Sequence, residues 1–397
     1  MSPEDDADQV RPFLLERGVP PEEIDRASEE GRLPLLVVDA VIMPGQGRYS
    51  PTQVAELSGM ALEQVKRFWR ALGFPDVPDD EKAFGDSDLD ALSTLQGLLA
   101  YRMADLESAV QMARVIGSSM ARIAEAEVTA SPVLRGGADS AEMAELFVLT
   151  ADAILPGISR LLDYSWRRHL QAAARRAMLM RSHVDAGGAW ADMAVGFADL
   201  VGFTVLSQQL SEAELAEMVA RFEALAHDTV TVLGGRVVKM IGDEVMYVAQ
   251  DPLTAAEVAL SLSEAYADDE VLSDVRVGLA CGAVLVRDGD YYGPVVNQAS
   301  RIVNIAAPGS VLTSEAVHEA LAGHEGFSWR ALRPRYIKDL GRTLLFRLSR
   351  PGANDQRRSR LGVRLRPGMR LGPERLLERV ERLIPPALDP RADGDGD

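Results

Sequence analysis

Near residue 190 the spacing of the apolar residues changes, and that change limits the chain to a helical part followed by an α/β part. Over residues 87–128, Leu89, Leu92, Leu95, Leu98 and Leu99, then Met103, Leu106, Val110, Met112 and Val115, recur at the three- and four-residue spacing of helices. Residues 6–16 and 21–30 open on proline or acidic residues, which suit helix N-termini. A Pro/Gly-containing break at 132–139 precedes a helical stretch over 158–180 that carries Arg167, Arg168, His169, Arg175 and Arg176. From Met193 to about Leu348 short apolar runs alternate with helical ones. The expected organisation is a helical domain over 1–154, a connecting helix over 155–188, an α/β domain over 189–350 and an arginine-rich flexible tail over 351–397.

Composition narrows the function classes. The 397 residues carry 42 Lys and Arg against 60 Asp and Glu, a formal charge of −18. Coating a polyanion over the whole surface needs the opposite balance. The single cysteine, Cys281, excludes an intramolecular disulfide and fits a reducing compartment. The N-terminus lacks a basic and then apolar leader, and the longest apolar run, 33–43, contains Asp39 and is shorter than the ~20 residues that span a bilayer. The expectation is a cytoplasmic protein with no transmembrane segment. The methionines of the helical half leave room for an apolar ligand, against the simpler reading of a self-packed bundle.

Three stretches carry chemistry. In Val195-Gly-Phe-Ala-Asp199-Leu-Val-Gly202-Phe203-Thr204 an apolar strand ends in a carboxylate, and a Gly-containing turn opens a helix expected to run through Leu210. Such a turn aims backbone N–H groups at one point, which suits a phosphate. In Arg236-Val-Val-Lys239-Met-Ile-Gly242-Asp243-Glu244-Val-Met-Tyr-Val248 two alternating runs flank a tight hairpin turn. The helical stretch between has crossover length, so both strands belong to one sheet and Asp243 can face the end of the Asp199 strand. The third, Gly289-Asp290-Tyr-Tyr-Gly293-Pro-Val-Val-Asn297-Gln-Ala-Ser-Arg301, follows two expected strands, 275–281 and 283–287. Asn297 and Arg301 are four apart and share a helix face.

Together these stretches closely resemble the catalytic domain of class III adenylate cyclases, over roughly 191–348. The resemblance implies an α+β, ferredoxin-like domain that forms head-to-tail homodimers with two composite sites, preceded by an all-α regulatory domain. It makes Asp199 and Asp243 the ligands of two divalent cations, Mg²⁺ or Mn²⁺, and Lys239 with Asp290 the readers of the adenine edge of ATP. Asn297 and Arg301 match the residues that set the ribose and stabilise transition-state charge. Arg276 and Lys338 fall where the family contacts the triphosphate, although its usual Lys-Gly is here Lys338-Asp339. Phe203 and Thr204 belong to the phosphate turn. Guanine would set its O6 acceptor against Asp290, so GTP is the weaker substrate.

Residues 49–75 look like a helix-turn-helix of the MerR type, with Gly59 in the turn and Lys66, Arg67 and Arg70 on the second helix. Acidic surroundings and the absence of a wing argue for a reused scaffold, and DNA is not an expected partner. The contrasting reading is a nucleotide-sensing, DNA-binding transcription regulator with a weak or inactive cyclase domain. The helical half is similar to that of autoregulated, pH-responsive mycobacterial cyclases. The corresponding expectation is a small-molecule or pH signal there, with His169 and His183 in or just after the connecting helix as candidate regulatory residues.

Overall fold

The structure is a computed structural model that describes residues 3–45, 47–101, 105–130, 154–180, 190–338 and 340–352. His183, the 132–139 break and the arginine-rich tail lie outside the described residues. The chain divides into two compact units, residues 1–188 together with 287–289, and residues 189–286 together with 290–397.

The first unit is helical. Helices α1 (Pro3–Glu16), α2 (Pro21–Glu29) and α3 (Leu33–Ile42) close on one core of Leu14, Ile24, Val37 and Val41. A second core of Val54, Val65, Phe84, Leu92 and Leu95 forms from α4 (Pro51–Ser58), α5 (Leu62–Ala71), α6 (Asp86–Ala100), α7 (Leu106–Ala130) and Phe84 ahead of α6. Local chemistry fixes the α4–α5 corner. Ser50 and Gln53 make a reciprocal capping box at the start of α4, and Gly59 takes φ 71° after its end. The spacing over 87–128 holds in part: the run is interrupted between α6 and α7, and Leu98 and Met112 are exposed. Helix α8 spans Leu155–Met180, and His169 is exposed on it.

The second unit has the order β1 (Trp190–Leu200), α9 (Phe203–Ser207), α10 (Glu212–Val232), β2 (Arg236–Ile241), β3 (Glu244–Ala249), α11 (Pro252–Asp268), β4 (Val275–Arg287). Next come β5 (Asp290–Tyr292), α12 (Pro294–Ile305), β6 (Val311–Ser314), α13 (Glu315–Leu321), β7 (Ser328–Ala331), β8 (Arg335–Ile337), β9 (Gly341–Thr343) and β10 (Leu345–Ser349). The main sheet runs β2-β3-β1-β4-β6-β10-β7, with β5 paired to β4 and β8-β9 a separate ribbon. Its first four strands with α10 and α11 are a βαββαβ ferredoxin-like core, antiparallel throughout.

Two sequence expectations are corrected. The helix after Asp199 stops at Ser207, short of Leu210. Residues 275–287 form one strand: Gly282, at φ 143°, stays in register opposite Met193, so the ladder to β1 is unbroken there.

Strand alternation gives the sheet two faces. Ala194, Ala198, Val245, Tyr247 and Val277 face α10 and α11, in a core where Tyr247 and Tyr266 are fully buried. Each tyrosine hydroxyl donates to a backbone carbonyl, of Ala255 and Phe222 respectively. The opposite face presents Met193, Val195, Phe197, Met246 and Val248 to α12. That second face continues into polar residues at the strand ends.

Candidate active site

Asp199 is the next residue after Phe197 with that outlook along β1. In the ladder it lies opposite Glu244 of β3 and Arg276 of β4, so the three form a row across three strands. The Arg276 Nε donates to Asp199 Oδ2 at 2.5 Å, its Nη2 is ion-paired with the same oxygen at 2.5 Å, and its Nη1 donates to the carbonyl of Asn304 at 3.3 Å. Asp243 is brought alongside by its hairpin. Gly242, with φ 63°, occupies the first central position of a two-residue turn closed by Ile241 and Glu244, the Gly-first pattern of a type II′ turn. The Asp243 carbonyl then accepts the N–H of Leu200 at 2.9 Å, which ties the turn to the end of β1.

This corner is short of positive charge. Burial raises the Asp243 carboxyl, and the neighbouring Asp199 raises it further. Glu244 is pushed up to about 7 by burial first and then by the charges of Asp199 and Asp243, with Arg276 opposing. All the donors are hard oxygens, so the corner fits a divalent cation such as Mg²⁺ or Mn²⁺. Among the described residues no three His, Cys, Asp or Glu side chains converge on one point.

Farther along the same face, Lys239 Nζ donates to Asp290 Oδ2 at 2.6 Å, and the N–H of Tyr291 donates to Asp290 Oδ1 at 2.8 Å. Lys239 reaches this position through an irregularity. Val237 is opposite Tyr247 and Lys239 is opposite Met246, so Val238 is an extra residue, a β-bulge. In an unbroken strand Lys239 would oppose Val245 and point into the α10–α11 core. Asp290 starts β5 after an Asp288-Gly289 turn, both residues at positive φ, as a type I′ connection requires.

Asn297 and Arg301 lie on the exposed side of α12, whose inner side is Ala299, Ile302 and Val303. That helix sits hard against β4: a Cβ on Gly278 would come within 2.3 Å of the Val303 nitrogen and 2.6 Å of the Ala299 oxygen. Gly278 thus sets the height of the helix that carries both residues.

The remaining candidates separate. Phe203 packs its ring against the α10–α11 core, so what it can offer a phosphate is its backbone N–H; Thr204 beside it is exposed. Lys338 is exposed at the end of β8, and its neighbour Ile337 anchors that ribbon in the core beneath α12. His169 belongs to the other unit. Glu244 was not among the candidates; its only sequence signal is its place beside Asp243, at a strand position whose alternate residues Met246 and Val248 are inward-facing.

Comparison with known proteins identifies the family. Residues 5–174 match the adenylate cyclase regulatory domain, and residues 189–349 match the adenylate and guanylate cyclase catalytic domain. An adenylate cyclase of Streptomyces coelicolor is 40% identical over 308 residues, covering 76% of this chain and 80% of the relative. One of Glutamicibacter nicotianae is 37% identical, covering 78% and 80%. A pH-sensitive adenylate cyclase of Mycobacterium tuberculosis is 32% identical over 354 residues, covering 85% and 86%.

Proposed function

The chain belongs to the class III adenylate cyclase family, and on that premise we propose that it converts ATP to 3′,5′-cyclic AMP and pyrophosphate at two equivalent sites shared by two copies of itself. The observation that carries the choice of base is the Lys239–Asp290 pair at 2.6 Å. Lys239 donates to an adenine ring nitrogen, and Asp290 accepts from the exocyclic amine. Guanine opposes an O6 acceptor to the carboxylate, an unpaired contact of the kind that sites built on hydrogen bonds reject strongly.

Asp199 and Asp243 hold Mg²⁺ or Mn²⁺, which when bound supplies activation of the 3′-hydroxyl and neutralisation of the phosphates. Arg276 neutralises Asp199 in the nucleotide-free chain and turns to the triphosphate in the complex, joined there by Lys338. The first-turn N–H groups at Phe203 and Thr204 receive phosphate oxygens. Asn297 orients the ribose so that its 3′-oxygen lies in line with the α-phosphorus, and Arg301 spreads its fixed charge over the developing phosphorane. Both project from the outer side of α12, so a nucleotide they contact approaches from outside the unit. A second copy supplying its own Asp199 and Asp243 meets that requirement. The helical unit sets how the two catalytic units meet, with pH or a small molecule as its signal.

The test is cyclic nucleotide production by the full chain from ATP and GTP, with Mn²⁺ and with Mg²⁺. Asp243→Ala and Arg301→Ala should each lose about 10²–10³-fold in kcat, the usual effect of removing one preorganised charge-stabilising group. Mixing the two inactive variants should restore about a quarter of the activity: half of random dimers are mixed, and one of their two sites is intact. No recovery, with mixed dimers demonstrated, would remove the shared-site reading. No cyclic AMP from the unaltered chain would remove the enzyme reading itself.

A further inference from the structure

Three residues before Lys239 on β2, Arg236 makes a second tie to β5. Its Nη2 donates to the hydroxyl of Tyr291, and its guanidinium carbon lies 5.0 Å from the centroid of the same ring. In a regular strand, residues three apart face opposite ways. Here the extra residue at Val238 puts Arg236, opposite Val248, and Lys239, opposite Met246, on one face. They grip the consecutive residues Tyr291 and Asp290. Strand β5 is three residues long, pairs with β4 and is bracketed by Gly289 at φ 81° and Gly293 at φ 125°. Side chains are therefore what hold it to β2.

The two ties differ in what a nucleotide does to them. Lys239 and Asp290 satisfy one another until a base arrives, and a base that takes both hydrogen bonds cuts that tie. Arg236 and Tyr291 are not consumed. Tyr291 is 5% exposed and packs in the core under α12, which gives the second tie a rigid anchor.

We propose that Arg236 and Tyr291 are positioning residues that hold β5 at a fixed distance from β2, and so keep Lys239 and Asp290 spaced for adenine rather than guanine. This rests on the reading of Lys239 and Asp290 as the pair that selects the base. A donor and acceptor select only while their separation matches the edge they read, and a slot whose walls drift loses the correct base more than the wrong one.

The experiment uses the full chain and measures affinity for 3′-deoxy-ATP and 3′-deoxy-GTP, which cannot cyclise, with Mn²⁺ present, alongside steady-state rates on ATP and GTP. Tyr291→Phe removes only the hydroxyl, and Arg236→Gln removes the charge. Each should weaken the adenine analogue about tenfold, the scale of one charge-assisted hydrogen bond, and leave the guanine analogue unchanged. KM for ATP should rise while kcat changes less than about threefold. The double variant should be no worse than the worse single, as for two halves of one contact. A merely structural role predicts a lower melting temperature with the ATP-to-GTP preference intact, and that outcome overturns the proposal. Should Arg236→Gln fail to fold, Tyr291→Phe decides alone. An unaltered chain that binds both analogues equally would remove base selection and the clamp together. One that discriminates between them but forms no cyclic product would remove the catalytic reading alone, and the affinity ratios of the variants would still decide the clamp.

Discussion

Residues 49–75 and residues 236–248 both look like motifs, and they use their charges in different ways. In the helical unit, Lys66 is paired with Asp79, Arg67 with Glu107 at 2.7 Å and Arg70 with Asp76 at 2.8 Å. The acidic partners are largely exposed, so each pair adds little stability, about 0–1 kcal/mol in general for surface pairs. Together they neutralise the cations that a phosphate backbone would need. In the catalytic unit, the Lys239–Asp290 and Arg276–Asp199 pairs join residues 51 and 77 positions apart, and they span the strands of one sheet face. On the proposed reading, a nucleotide and its cation take over the partners of these pairs. The spacing of charged residues marks both segments. What surrounds the charges decides which one is a site.

The largest effect that would sharpen this contrast comes from a methyl group. Gly278→Ala puts a carbon against the backbone of α12, which cannot yield as a flexible side chain would. The helix must shift and take Asn297 and Arg301 with it. A displacement near 1 Å costs about a hundredfold in rate, so kcat should fall by about that much with the fold retained by circular dichroism. Gly117→Ala is the matched control in the helical unit, where the added carbon would lie 2.2 Å from the Leu72 oxygen. It should cost about 1–3 kcal/mol of overpacking, read as a lower melting temperature, and leave the ATP-to-GTP preference unchanged. Equal kinetic effects from both would erase the distinction between the units.

Much of this was legible in the sequence because it is encoded over short distances. The Gly242-Asp243 turn, the four-residue spacing of Asn297 and Arg301, and the period change near residue 190 each depend on fewer than about a dozen neighbouring residues. The ferredoxin-like core is what the family resemblance implies; the elements and the crossover rule alone say only that β1 and β2 share a sheet. What stayed hidden depends on register. No local pattern announces the extra residue at Val238, which turns Lys239 toward Asp290. Nor does one announce that Arg276 meets Asp199, since that follows from how β1 and β4 align. Glycine 282 reads as a strand break yet lies inside β4, because the ladder to β1 is unbroken there.

A middle-sized effect tests whether the catalytic pairs are exchangeable. Arg276→Gln leaves Asp199 without its cation while preserving length and hydrogen-bonding capacity. Mn²⁺ binding in the absence of nucleotide, followed by calorimetry, should tighten several-fold because the metal no longer displaces a guanidinium. KM for ATP should rise about tenfold, since the same group is lost to the triphosphate. Opposite signs on the two ligands are the signature of a residue that serves each in turn. If both affinities fell together, Arg276 would be a structural brace of β1 and β4.

The smallest expected effect is on the helical side. Lys66→Ala and Arg70→Ala each remove one half of a surface pair whose acidic partner stays solvated. Stability should change by less than about 1 kcal/mol apiece. Affinity of the full chain for duplex DNA at low salt should stay at background with or without the substitutions, because the cations are already matched by Asp79 and Asp76. The reverse pair of substitutions is more informative. Asp76→Asn and Asp79→Asn remove two negative charges and leave those of Arg70 and Lys66 on α5 without their acidic partners. If the segment retained a groove-reading surface masked only by those carboxylates, DNA binding would emerge, with a slope against salt that reports the phosphates engaged. If none emerges, the helix-turn-helix serves this protein as packing, and the difference between the two motifs lies in their shape as well as in their charge.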